Sequence, residues 1–251
     1  MYETYWKLQE PAFSLAPDPR FLYLGESHED ALLLLHHFAT RRNGFMRLTG
    51  DPGTGKSVLL RRLLQFGRDD LRSVLVSAGG DRSSISTRIL RQLSEDGSES
   101  DLDGRLRALY ELGRKVVVAL DGWSRASAED ASELIRLARN HENVAILLAG
   151  PDGGSGRITT PSALEVRISG FKSEETAAMI QHRLRTAGFA GDEPPFTEEA
   201  LAEVDALAAG NPRLAVQWAD HALFYGFNHN LTRLDGAAMR SLERSLGHEA
   251  A

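Results

Sequence analysis

The chain has 251 residues, 42% hydrophobic and 25% charged, enough for one large buried core or for a core with a small satellite domain. A formal net charge of −6 leaves no global basic field to attract nucleic acid or an anionic membrane, and the lack of cysteine excludes disulfides, thiolate metal sites and thiol catalysis. The longest apolar stretch, Ala31 to Leu35, is broken by His36 and His37 and is too short to cross a bilayer. Met1 to Lys7 has neither the basic start nor the apolar middle of a signal peptide, so a cytoplasmic location is expected.

In chain order, residues 1–24 are rich in aromatics and proline and read as an extended segment pinned to a surface. A helix is predicted from Glu26 to Arg42, with Ser27 as its N-cap. Gly44 to Thr49 is apolar enough for a short buried strand, and Val58 to Phe66 has helical spacing. Further strands are expected at Arg72 to Ser77, Lys115 to Leu120, Asn143 to Leu148 and Ala163 to Ile168, with helices near 83–93, 102–113 and 127–140 between them. Strands separated by helices imply a three-layer α/β domain with a mostly parallel, five-stranded sheet. The acidic run Ser94 to Asp101 reads as a flexible loop. From Lys172 the strand signal stops, and helices are predicted at 173–187, 197–209, 212–226 and 235–246, with Thr197 as an N-cap. The expected division is an α/β nucleotide domain over 1–170 and a small all-α lid over 171–251.

The chemistry is concentrated between the first strand and the helix after it. Gly50, Asp51, Pro52, Gly53, Thr54, Gly55, Lys56 and Ser57 spell the full phosphate loop, flanked by a strand and a helix. Glycines let backbone N–H groups curl around phosphates, and the positive end of the following helix faces them. Lys56 is expected to reach the β- and γ-phosphates of ATP, Ser57 to hold Mg²⁺, and Val58 to complete the loop contacts. Val116 to Asp121 is an apolar strand ending in aspartate, the pattern in which the carboxylate binds Mg²⁺ through its waters. Asp121-Gly122 is also a common turn signal, and both readings stand at this point.

Tyr5-Trp6-x-Leu8-x-Glu10-Pro11-x-Phe13, Pro17 to Leu24, Ser27-His28 and the phosphate loop together resemble the AAA+ ATPases of the general secretion pathway protein A (ExeA) type and their relatives in MSHA-type pilus biogenesis. Ser173 to Leu184, Phe196 to Leu201 and Gly210-Asn211-Pro212-Arg213-Leu214 are similar to the lid of the same family. The resemblance implies that Pro17 to His28 packs near the adenine, with Tyr23 and His28 contacting the base. It also implies that Arg213 touches the γ-phosphate and that the lid closes over nucleotide.

The departures fall in the hydrolytic half. The family's Asp-Glu-Ala-Gln is here Asp121-Gly122-Trp123-Ser124, so the carboxylate that orients the attacking water is missing. The polar residue expected after the next strand is replaced in Ala149-Gly150-Pro151, and Arg157 is the one arginine-finger candidate left in its stretch. Glu129 and Glu133 are the nearest other carboxylates in sequence. The expected protein binds ATP and Mg²⁺ and hydrolyses slowly or not at all, and Gly122→Glu is expected to raise turnover. It would support assembly of a secretion or type IV pilus-like envelope apparatus from the cytoplasm, recruited to the inner membrane by a protein partner, with a homo-oligomer open. A second reading is an ATP-dependent regulator of DNA transposition, the one case in which DNA is a partner. A non-hydrolysing nucleotide adaptor is compatible with either.

Overall fold

The computed structural model describes residues 2–16, 18–65, 69–79, 83–94, 101–152 and 163–247. Two compact units divide the chain, one of residues 26–52 with 56–169 and one of residues 1–25 with 53–55 and 170–251.

The first unit is built on a parallel sheet. Strands β1 (Gly44–Thr49), β2 (Leu71–Ser77), β3 (Lys115–Asp121), β4 (Val144–Ala149) and β5 (Leu164–Arg167) lie in the order β2-β3-β4-β1-β5. Every pair is parallel, so each connection is a crossover. Among the helices of this unit are α2 (Glu26–Arg41), α3 (Lys56–Leu64), α4 (Ile85–Leu93), α5 (Leu102–Glu111) and α6 (Ala128–Asn140). All six residues of β4 are buried, as are Val116 to Leu120 of β3. That explains their unbroken apolar runs, because a central strand covered on both faces has no polar side to alternate with. Leu134 and Leu137 of α6 are fully buried in the same core, where truncation of either to alanine costs about 2–5 kcal/mol.

The sheet order is what makes a site. β1 lies between β4 and β5, and β4 separates it from β3, so the loop after β1 and the end of β3 emerge on the same carboxyl edge. Parallel α/β sheets bind ligands at that edge. One expectation is corrected: α2 starts at Glu26, so Ser27 is its second residue and not its N-cap. The acidic loop expected at 94–101 lies mostly outside the described residues.

The second unit is helical, with α7 (Ser173–Thr186), α8 (Glu198–Ala208), α9 (Pro212–Asn228) and α10 (Gly236–Gly247). Thr197 caps α8 as expected, its Oγ1 accepting from the Ala200 N–H at 3.2 Å. The surface-pinned reading of residues 1–24 is corrected, because these residues supply core. A short helix α1 (Tyr2–Tyr5) opens the segment, and Trp6, Phe13 and Phe21 are buried against α7, α8 and α9 residues. Trp6 Nε1–H donates to the Leu223 carbonyl at 2.8 Å, so its polar edge is satisfied inside.

Arg183 of α7 fixes the rest of the segment. Its Nε donates to the Ala12 carbonyl at 2.8 Å and its Nη2 to the Ser14 carbonyl at 2.7 Å, and its guanidinium lies 5.2 Å from the Phe21 ring centroid. Burial lowers its pKa to about 10, partly offset by the Asp18 carboxylate. A guanidinium taken this far out of water is retained because several backbone acceptors receive it.

Candidate nucleotide site

The phosphate loop has the conformation its glycines predict. Gly53 and Gly55 adopt φ of 88° and 101°, the left-handed region that side chains disfavour, and α3 begins directly afterwards at Lys56. The first N–H groups of α3 have no intrahelical partner and face the loop. Lys56 Nζ donates to the Gly50 carbonyl at 2.7 Å and to the Asp51 carbonyl at 2.8 Å, which folds the ammonium back over the loop. Burial pushes the Lys56 ammonium below the ordinary lysine value, while the Asp152, Asp51 and Asp121 carboxylates pull the other way. A desolvated cation with a ring of donors suits a polyanion, and a phosphate chain fits this cradle.

Asp121 ends β3, in register with Ser77 on one side and Ala149 on the other. Its backbone carbonyl accepts from the Ala78 N–H at 2.8 Å, so the strand is held to its last residue. The structure therefore brings Lys56 and Asp121 within electrostatic reach of one another. Ser57 is half-buried in the first turn of α3, Thr54 is buried, and Val58 is exposed.

The remaining predicted residues are spread over both units. His28 is buried in α2, its Nδ1 3.5 Å from Ser27 Oγ. Tyr23, in the helical unit, packs edge-on against Phe171 with centroids 5.7 Å apart and lies 6.2 Å from the His182 ring. Arg213 is exposed in the first turn of α9, where the Asn211 side chain caps the helix by accepting from its N–H at 3.0 Å. Arg157 and Pro17 lie outside the described residues.

Gly122 and the turn after it were the least legible part. Gly122 has φ 74° and ψ 39°, and it begins a single 3-10 turn, Trp123–Arg125. A Cβ at position 122 would lie 2.5 Å from Arg125 Nη2 and 3.2 Å from its Cζ. The face of Gly122 that would carry a side chain is thus covered by a guanidinium. Of the two substitute bases considered, Glu133 is engaged. Arg136 donates to both its oxygens at 2.8 Å, Ser86 donates to Oε1, and the Arg136 guanidinium holds the carboxyl below the usual range. Glu129 is exposed and lines a cleft of about 590 Å³ with Gly79, Ser84, Ser86, Arg125 and Ser127.

Trp123 and Gly150 are a second coupled pair. A Cβ at position 150 would lie 2.3 Å from Trp123 Nε1 and 2.4 Å from Cδ1, so the indole fills the space a side chain there would need. A side chain at 150 and the Trp123 indole cannot share this space. Trp123 is 3% exposed, its ring centroid lies 5.4 Å from the Arg47 guanidinium carbon, and its Nε1–H finds no acceptor among the described residues. Because a ring cannot fold aside as a flexible chain can, Gly150→Ala is expected to destabilise the protein by about 1–3 kcal/mol. Urea unfolding checks this, and an unchanged midpoint with an unchanged slope would contradict the packing described.

A family model described as an AAA domain matches residues 39–157. General secretion pathway protein A of Aeromonas hydrophila is 28% identical, over 90% of this chain and 45% of that protein. The chain thus spans under half the length of that relative. Among solved structures, Drosophila ORC bound to DNA superposes with a TM-score of 0.67 at 15% identity, over 92% of this chain and 63% of that one. Cdc6p of Pyrobaculum aerophilum gives 0.64 at 18% identity, over 93% and 70%. At such identities these structures show a common fold and nothing finer. The segment that matches the AAA domain model holds the phosphate loop, Asp121 and four of the five parallel strands.

Proposed function

We propose that the protein binds ATP with Mg²⁺ and hydrolyses it slowly, serving as a nucleotide switch in the assembly of a secretion or type IV pilus-like envelope apparatus. The observation that carries the reading is a complete phosphate cradle beside a strand end whose next residue, Gly122, has no carboxylate. In that cradle the loop N–H groups and Lys56 bind the phosphates, while Ser57 and Asp121 hold the Mg²⁺ that neutralises them. Arg213 is the lid residue proposed to meet the γ-phosphate, and Tyr23 and His28 are proposed to contact the adenine.

The envelope role is supported by the likeness to General secretion pathway protein A over 90% of this chain. Among the described residues no helix is long and apolar enough to cross a membrane; recruitment to the inner membrane by a protein partner is part of the proposal. Whether the protein self-associates is part of the same proposal. Deleting the gene in its host is expected to abolish secretion or pilus assembly, with wild type restoring it and Lys56→Ala failing to. Normal secretion and piliation in the deletion strain would overturn the envelope role.

A further inference from the structure

The sequence leaves a gap where a hydrolytic carboxylate is expected, and the structure fills it with a cation. Arg125 ends the 3-10 turn that starts from Gly122, and its backbone N–H donates to the Gly122 carbonyl at 2.9 Å. This tight turn brings the side chain back over the residue after Asp121. The guanidinium rests where a side chain at 122 would begin, with Nη2 2.5 Å and Nε 3.1 Å from that Cβ position. Among the described residues it has no hydrogen-bond or ion-pair partner, although Glu129 and Asp130 line the same cleft. An exposed, planar set of five donors next to a strand-end aspartate has the chemistry for a phosphate oxygen.

We infer that Arg125 recognises the terminal phosphate of a bound nucleoside triphosphate from the position a water-activating carboxylate would otherwise hold. The inference rests on the nucleotide reading above. A cation there attracts the γ-phosphate but does not accept a proton from water, so it adds to ATP binding without supplying the missing base. The residue is then a discriminator between ATP and ADP, since only the triphosphate reaches it.

The test is calorimetric binding of MgATP and MgADP to the full chain as wild type, Arg125→Ala, Arg125→Lys and Lys56→Ala. Wild type is expected to prefer ATP. Arg125→Ala should weaken ATP binding about tenfold, the worth of one charge-assisted hydrogen bond, and leave ADP within about twofold. Arg125→Lys, which keeps the charge, should recover part of the preference. Because Arg125 is exposed and, among the described residues, bonded only through its backbone, the variants should fold, as far-UV circular dichroism would check. An ATP-to-ADP ratio unchanged in Arg125→Ala overturns the inference, as does equal weakening of both nucleotides. Lys56→Ala separates the two levels. If it loses both nucleotides while Arg125→Ala alters neither, the assignment of Arg125 fails alone. If it binds both as wild type does, the nucleotide reading fails and the inference with it.

Discussion

Lys56→Ala is expected to weaken ATP binding by roughly a hundredfold, about 3 kcal/mol, with little loss of fold stability. The ammonium is partly desolvated and held by two carbonyls of its own loop, so it is positioned before any ligand arrives. Removing it takes one cation from the phosphates while the Asp51, Asp121 and Asp152 carboxylates that act on Lys56 stay in place. Titration calorimetry at fixed Mg²⁺ measures the change. Binding within a few-fold of wild type would remove the cradle from the account.

The second large effect concerns hydrolysis, where the structure alters the simple expectation. From sequence, Gly122→Glu supplies a missing base and should raise turnover unless the lost arginine finger is also limiting. In the structure a carboxylate introduced there would meet the Arg125 guanidinium, and the two would pair. The substitution also places a side chain at φ 74°, a strained conformation costing roughly 1–2 kcal/mol. Gly122→Glu alone is therefore expected to stay near the wild-type rate. Combined with Arg125→Ala it should gain about 10²-fold, the lower end of what a positioned base contributes. Steady-state phosphate release compares the four proteins. A full gain in the single variant would show that Arg125 does not hold the introduced carboxylate.

The strands were legible because buried parallel strands are written as continuous apolar runs, as in Val116 to Leu120 and Ala145 to Leu148. The phosphate loop was legible because its glycines answer a local need that no other residue meets. The partners of residues 1–24 were not legible. Trp6, Phe13 and Phe21 find their neighbours on helices far along the chain, and nothing in the local pattern distinguishes burial there from attachment to a surface. That Arg125 covers Gly122 follows from a local 3-10 turn that the pattern did not announce, while the exclusion of a side chain at Gly150 by Trp123 comes from approach between positions distant in sequence.

The central claim is that this protein retains ATP. Single-turnover hydrolysis with the wild-type protein in excess of ATP, alongside nucleotide binding on the same sample, tests it most directly. The account predicts saturable, Mg²⁺-dependent binding with the nucleotide still intact after minutes, a time in which an enzyme turning over at about 10 s⁻¹ would have finished. Rapid conversion to ADP by wild type, abolished by Lys56→Ala, would contradict it.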